Sequence, residues 1–251
     1  MRLDFIENGP ALVVRNTRAT LVVADLHFGI EADMARHGLH FSSRSRERME
    51  RVLACIRETS PDCLVLLGDV KHNVPITTRQ EWRELPSVID AFRQLVSFRV
   101  MPGNHDSGLE RFLEPGEMLP KDGTIIDGVG YIHGHTSPSA ALDGHLIIAG
   151  HHHPLVSLQD EIGCSLRAPA YLFARIDPGC LGKNRKPREG EETRVLFMPA
   201  FNELSGYDIR KIVKDPFSPL SKCIIKPTAE IILTDGTFVG SLEMVEPHER
   251  D

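Results

Sequence analysis

Five short apolar runs, Leu21 to Ala24, Cys63 to Leu67, Phe98 to Met101, Val129 to Ile132 and Leu146 to Ala149, each stop at a small cluster of Asp, Asn, His and Gly. Runs this short and this rich in branched side chains read as buried strands. The clusters are Asp25-Leu26-His27, Gly68-Asp69, Gly103-Asn104-His105-Asp106, His133-Gly134-His135 and Gly150-His151-His152-His153. Between the first two runs, the spacing of Met49, Val52, Leu53 and Ile56 predicts an amphipathic helix over Arg44 to Thr59, capped near Ser42 or Ser43. Between the second and third, Leu85, Val88, Ile89, Phe92 and Leu95 predict another over Arg79 to Leu95, with Pro86 in the first turn if the helix proper starts there. Strands separated by helical crossovers pair in parallel. Their C-terminal ends then share one sheet edge, where α/β proteins build their sites.

Beyond Gly123 the helical spacing fades. Strand-like runs at Thr124 to Ile126, Tyr171 to Ala174, Thr193 to Met198 and Glu230 to Thr234 join those at Val129 and Leu146. An Asp235-Gly236 turn leads from the last of them to Phe238 to Leu242, a hairpin signal. A second, partly antiparallel sheet is expected, within one unit over residues 1–251. In that unit residues 1–153 carry the polar clusters, 154–245 complete the second sheet and 246–251 form a tail. The polar stretch Pro178 to Glu192 and that tail are expected to be the most mobile segments.

Composition narrows the function classes. With 41% hydrophobic and 25% charged residues in 251, the chain has the make-up of a folded globular protein. No apolar run nears the roughly 18–20 residues that cross a bilayer, and Asp4 and Glu7 interrupt the N-terminus where a signal peptide is apolar, so a cytoplasmic protein without membrane association is expected. A net charge of −6 supplies no global attraction for polyanions. The basic cluster Lys183, Arg185, Lys186 and Arg188 is followed by Glu189, Glu191 and Glu192 and reads as a solvated loop. Five cysteines, an odd number with no C-x-x-C pair, predict reduced and mostly buried thiols rather than disulfides or a zinc–thiolate site.

The strand-end clusters contain seven candidate metal ligands: Asp25, His27, Asp69, Asn104, His133, His151 and His153. One divalent ion cannot use all of them. Two ions about 3.5–4 Å apart can, with one carboxylate shared, and such pairs clamp the attacking and leaving oxygens of phosphoryl transfer. Asp69 is the candidate bridge. A shell of His, Asp and Asn without thiolate suits two Mn²⁺ ions first, with Fe or Zn²⁺ as alternatives. No Gly-x-Ser-x-Gly elbow or P-loop offers a competing mechanism.

The order DxH, GD, GNH(D/E), a lone His and GHxH, running from Asp25 to His153, resembles the calcineurin-like metallophosphoesterases. More narrowly, Leu26-His27-Phe28-Gly29-Ile30-Glu31, Gly68-Asp69-Val70-Lys71-His72 and Pro199-Ala200-Phe201-Asn202 are similar to archaeal phosphoesterases described as SbcD-related or ICC-like. Bacterial ligase-associated DNA-damage-response phosphoesterases are more distantly similar. The resemblance implies a layered αββα fold, two central mixed sheets flanked by helices. It places Asp25, His27 and His153 on one metal, Asn104, His133 and His151 on the other, and Asp69 on both. It implies a metal-bridging hydroxide as nucleophile, and His105 as the catalytic residue that contacts phosphate and protonates the leaving oxygen. Asn104 and His105 would bind substrate, and Asp106 would orient their loop.

One motif departs from the family, whose second signature usually reads GDxxDR. Here Val70-Lys71-His72 follow, so Lys71 and His72 either contact substrate phosphate instead or are ordinary loop residues. His135 and His152 alternate with ligands and either support them or simply fill loops, the latter preferred for His152. Local packing is expected for Phe28 and Glu31, and no role for His37, His40, His145 and His248.

The expected function is therefore a dinuclear phosphoesterase hydrolysing phosphodiesters, DNA or RNA among them. The alternatives are a phosphomonoesterase on nucleotides or a small phosphorylated metabolite, and a non-catalytic interaction module like the retromer subunit similar in architecture. No long helical arm follows the catalytic half to dock an ATPase, so the enzyme is expected to stand alone, and no protein partner is read from the chain.

Overall fold

In the computed structural model of the chain, residues 1–7, 9–159, 165–185 and 190–245 are described. The first sheet holds β1 (Arg2–Ile6), β2 (Ala11–Arg15), β3 (Ala19–Val23), β4 (Cys63–Leu66) and β5 (Ser97–Val100), in that spatial order. The helices between them are α1 (Ile30–Arg36), α2 (Ser45–Thr59) and α3 (Arg79–Arg93). β3, β4 and β5 are parallel, with Val23 opposite Leu66 and Leu66 opposite Val100. Three strands thus end level with one another, and their polar clusters leave from one edge.

The second sheet contains β6 (Thr124–Ile126), β7 (Val129–Ile132), β8 (Leu146–Ala149), β9 (Pro154–Gln159), β10 (Ser165–Arg175), β11 (Arg194–Phe197), β12 (Tyr207–Asp208), β13 (Glu230–Leu233) and β14 (Phe238–Ser241). β7, β8 and β11 are parallel, and Ile132, Ala149 and Phe197 end level. The other pairings are antiparallel apart from β9 with β12. Short helices α4 (Pro178–Leu181), α5 (Ile209–Lys214), α6 (Pro219–Lys222) and α7 (Leu242–Val245) belong to this half.

Side-chain alternation explains the layering. In β3 and β4, Leu21, Val23, Leu64 and Leu66 face the cluster built with α2 and α3, whereas Val22 and Val65 face the cluster between the sheets. In β8, Leu146 and Ile148 join that middle cluster while Ile147 and Ala149 face Ile209, Ile212 and Leu220 of α5 and α6. A strand buried on both faces must be apolar at every position, which is why these strands read as unbroken runs. The result is the expected mixed α/β fold, with two mixed sheets and helices packed on them.

Several local expectations are corrected. Helix α3 starts at Arg79, so Pro86 lies inside it rather than in its first turn. Thr78 and Glu81 form a reciprocal cap that sets the earlier start. Arg44 occupies the cap position of α2 without a side-chain bond, although Ser43 Oγ accepts from the Ser45 N–H at 3.3 Å. The first sheet is mixed because β1 and β2 pair antiparallel with each other and β2 with β3. Two thiols expected to be reduced are paired: Cys180, in α4, is disulfide-bonded to Cys223, just after α6, across 43 residues of sequence. No short Cys spacing signals a pair that tertiary packing brings together. Cys55 and Cys63 are free, and Cys164 lies outside the described residues.

The segment from Pro178 to Glu192 is likewise not uniformly solvated. Arg185 reaches both Asp143 carboxylate oxygens, at 3.0 and 2.6 Å, and the Pro138 carbonyl at 2.7 Å. Lys186, Arg188, Glu189, His248 and the rest of the tail lie outside the described residues. Among the described residues no helix is long and apolar enough to cross a membrane.

Candidate metal centre

The loops that leave the level strand ends continue each other's pairing. The Asp25 N–H donates to the Gly68 carbonyl at 3.1 Å and the His27 N–H to the Asp69 carbonyl at 2.8 Å. From the end of β11, the Phe201 N–H donates to the Ala24 carbonyl at 2.8 Å and Asn202 Nδ2 to the Leu26 carbonyl at 3.2 Å. The Pro199-Ala200-Phe201-Asn202 segment therefore braces the first ligand loop from the second sheet.

Tight turning and close approach show in the backbone. Asp25, His27, Asp69, His151 and His153 have φ of 56°, 48°, 47°, 72° and 45°, a left-handed conformation that costs a non-glycine residue about 1 kcal/mol or more. Among the other described non-glycine residues only Ser60 and Asp127 share it. Five of the seven candidate ligands thus hold strained backbone, which survives where the surroundings over-determine it. At Gly68, a Cβ would overlap the His133 ring and stand 2.8 Å from His133 Cβ, so glycine is what lets the second cluster lie against the fourth.

Two donor groups result. Asp25, His27, Asp69 and His153 each offer an atom within 4.8 Å of the others, and so do Asp69, His133 and His151. Asp69 belongs to both. Asn104 adds its Oδ1 at 3.3 Å from His133 Nε2. All seven predicted ligands are therefore brought together by the loops. A third group, His27, His72 and His105, adjoins the first.

The donor chemistry fits divalent cations. His27 Nε2 and His153 Nε2 are buried without a hydrogen bond and face carboxylates, Asp69 at 3.7 Å and Asp25 at 3.1 Å, an arrangement that a shared cation would satisfy. Burial holds His27 well below the usual histidine range despite Asp69, and burial with the His133 charge does the same to His151, so both are neutral and offer a lone pair to a cation. Burial alone would raise the Asp69 pKa, but the surrounding imidazoles hold it well below the ordinary carboxylate range. His133 shows the opposite result: burial lowers it, but Asp69 and Asp25 outweigh that and push it up to about 9. A cation between these carboxylates would replace the charge they draw onto His133. The His133 Nδ1–H donates to the Leu67 carbonyl at 2.9 Å, which leaves Nε2 for coordination.

The remaining residues fall around this cluster. The His105 N–H donates to Asp69 Oδ1 at 2.9 Å, its Nδ1 meets the His72 carbonyl, and its ring lies 5.1 Å from that of His27. Asp106 is buried and accepts from the Gly103 and Lys71 N–H groups at 2.8 and 3.1 Å, tying the third loop to the second. Burial and the Asp69 charge push its pKa up to about 6. His72, half-buried, puts Nδ1 3.1 Å from His27 Nδ1 and Nε2 3.6 Å from Asp33. Lys71 departs from the substrate-contact expectation: it is fully buried, and its ammonium donates to the Asn73 carbonyl. A lysine turned inward offers nothing to a phosphate outside.

His152 is more than loop filling, since its buried ring bridges the Gly150 carbonyl at 2.9 Å and Ser218 Oγ at 2.7 Å. Burial pushes its pKa down to about 3 and keeps it neutral between His151 and His153. His135 is half-buried with its ring 5.2 Å from that of His133. Phe28 packs in the core, whereas Glu31 is a buried acceptor, taking the Arg44 N–H at 3.2 Å and Arg48 at 3.3 Å. Sequence reading did not single out Glu81, whose buried carboxylate takes the His72 and Asn73 N–H groups at 3.1 and 2.8 Å. The Thr78-x-x-Glu81 cap signature was the available signal.

Comparison with known proteins places these features in context. The chain resembles the structure of the Pseudomonas putida nuclease MPE, with 16% identity, a TM-score of 0.53 and coverage of 93% of this chain and 98% of that one. It also aligns with Yfce, a phosphoesterase from E. coli, at 13% identity and a TM-score of 0.43, over 88% of this chain and 96% of that one. The first of these likenesses establishes shared fold. No curated protein matches the sequence. The model of the calcineurin-like phosphoesterases matches residues 19–161, more than half the chain and all seven candidate ligands, so the protein belongs to the calcineurin-like phosphoesterase family.

Proposed function

We propose that this phosphoesterase is a dinuclear, Mn²⁺-dependent phosphodiesterase acting on nucleic acid. The observation that carries the reading is the pair of donor groups sharing Asp69, with two buried imidazole nitrogens of the first group that make no hydrogen bond and face carboxylates. Asp25, His27 and His153 would hold one ion, Asn104, His133 and His151 the other, and Asp69 both. Bound divalent ions supply Lewis acidity for the phosphoryl oxygens and a water nucleophile at neutral pH.

The chain's own groups do the rest. His105 is oriented through its N–H on Asp69 and its Nδ1 on the His72 carbonyl, so Nε2 is the nitrogen left to give a proton to the leaving oxygen. Asp106 holds the backbone of Gly103 and Lys71 and so sets where Asn104 and His105 stand. The buried His152 fixes the turn between His151 and His153.

Two features favour a diester over a monoester. A monoester carries an extra negative charge, and the lysine best placed in sequence to meet it faces inward. The similarity in fold to a protein described as a nuclease points the same way. A non-catalytic module would be marked by missing ligands, and none is missing here. The test is an assay of chelator-treated protein, with and without Mn²⁺, on one chromogenic phosphodiester and its matched monoester. Mn²⁺-dependent preference for the diester is expected. Preference for the monoester, or activity indifferent to metal, would contradict the proposal.

A further inference from the structure

Beside the centre, the loops that carry His72 and His105 run on outward and form the two walls of a cavity of about 330 Å³. This is within the range of about 300–1,000 Å³ typical of small-molecule pockets. Pro75 to Thr77 supply one wall and Ser107 to Arg111 the other. The two loops approach each other closely, since a Cβ on Gly108 would stand 3.4 Å from Thr77 Oγ1. Trp82, in the first turn of α3, lines it while remaining 45% exposed, a large apolar ring left in water. Phe112 holds the indole from one side at 4.9 Å between centroids, and the Arg111 guanidinium lies 6.0 Å over the ring. Ile76, which also lines it, is 76% exposed.

Aromatic faces with guanidinium neighbours are what nucleobases stack on. Glu110 and Arg111 in the same wall offset each other in charge, so the cavity presents no net cation to phosphate and a neutral planar group is favoured within. We propose that this cavity is a subsite for the base of the nucleotide next to the scissile phosphate, stacked on Trp82 and covered by Arg111. The inference rests on the nucleic-acid reading above and adds a specificity-determining residue to it.

Trp82 is the single tryptophan of the chain, so its fluorescence reports on this cavity alone. Stopped-flow mixing of the Mn²⁺-loaded protein with single-stranded oligothymidylate should quench the indole saturably before turnover, with the midpoint given by anisotropy of a labelled oligomer. An abasic oligomer of equal length should bind roughly fivefold to a hundredfold more weakly and leave the indole unquenched. Trp82→Leu should raise KM for the oligomer by a similar factor with little change in kcat, and Trp82→Phe should restore most of it. Trp82 is not itself a buried core residue, and Trp82→Phe keeps a ring against Phe112, so a loss of base stacking is separable from a loss of folding. Oligomer binding without quenching, or equal affinity for abasic and normal strands, would overturn the subsite while sparing the nucleic-acid reading. Hydrolysis of a chromogenic diester with no binding of any oligomer would overturn both.

Discussion

Replacing Gly103 by Ala probes the crowding on which the centre depends. A methyl group on Gly103 would overlap Asp69 Oδ1 and the Asp69 backbone nitrogen, and would stand 2.9 Å from Asp69 Cγ. Gly103 is not among the residues with positive φ, so alanine suits its backbone and the effect isolates close approach. Because one of the overlapped atoms is backbone, no side-chain rotation relieves the overlap. To regain ordinary contacts of about 3.5–4.0 Å the loop must withdraw by roughly an ångström. That withdrawal stretches the bond from the His105 N–H to Asp69 Oδ1, now 2.9 Å. Overpacking costs about 1–3 kcal/mol and a hydrogen bond to a charged group about 1.5–3 kcal/mol, so a loss near 3 kcal/mol is expected. For a chain of this length that is roughly 6–12 °C in Tm. Misplacing His105 by an ångström should also cost on the order of a hundredfold in kcat. Calorimetry and diesterase assays on the purified variant measure both. A variant that keeps its Tm, its metal content and its activity would refute the crowding argument.

Other perturbations separate chemistry from architecture. His105→Ala should retain metal yet lose about 10²–10⁴-fold in activity, with the larger loss on substrates whose leaving groups are poor. Equal loss across leaving groups would remove His105 from the acid role. Glu117 accepts from Arg93 at 3.0 and 2.9 Å and from the Glu114 N–H at 2.7 Å. Burial alone would raise its pKa, but the Arg93 fork outweighs burial and holds the carboxyl below the usual range. A depressed carboxylate pKa stabilises the native state above its unfolded value of about 4.3, and that stability is lost as pH falls through the lower folded value. Glu117→Gln should therefore be about 1–2 kcal/mol less stable at neutral pH, converging with the parent in acid. Urea titrations of both proteins across that pH range measure the gap, and a gap independent of pH would show that the ion pair is not its source.

The candidate centre was legible as a cluster because each strand end supplies its Asp, Asn and His side chains locally. In β3, β4, β7 and β8 burial on both faces gives continuous apolar runs, and the first polar residues beyond each run are the ones the loops gather. What identity and spacing do not carry is direction. Lys71 follows Asp69 closely in sequence, yet the pairing of the Phe28 and Lys71 backbones turns its side chain into the protein. His152 sits between two ligands, yet its role comes from Ser218 on a distant segment. The Cys180 to Cys223 pair was hidden for the same reason, its halves lying 43 residues apart. Pro86 suggested a later helix start that the Thr78 and Glu81 cap overrides, and β1 and β2 lack the polar cluster that marks the site-bearing strands.

The central claim is that seven side chains from strand-end loops hold two ions through a shared Asp69. Elemental analysis of protein stripped by chelator, reloaded with Mn²⁺ and desalted tests it directly, beside the Asp69→Asn variant treated in parallel. Two manganese ions per parent chain, with both sites weakened together in the variant and diesterase activity lost, is the result predicted. One ion or none in the folded parent, or full occupancy in the variant, would contradict it.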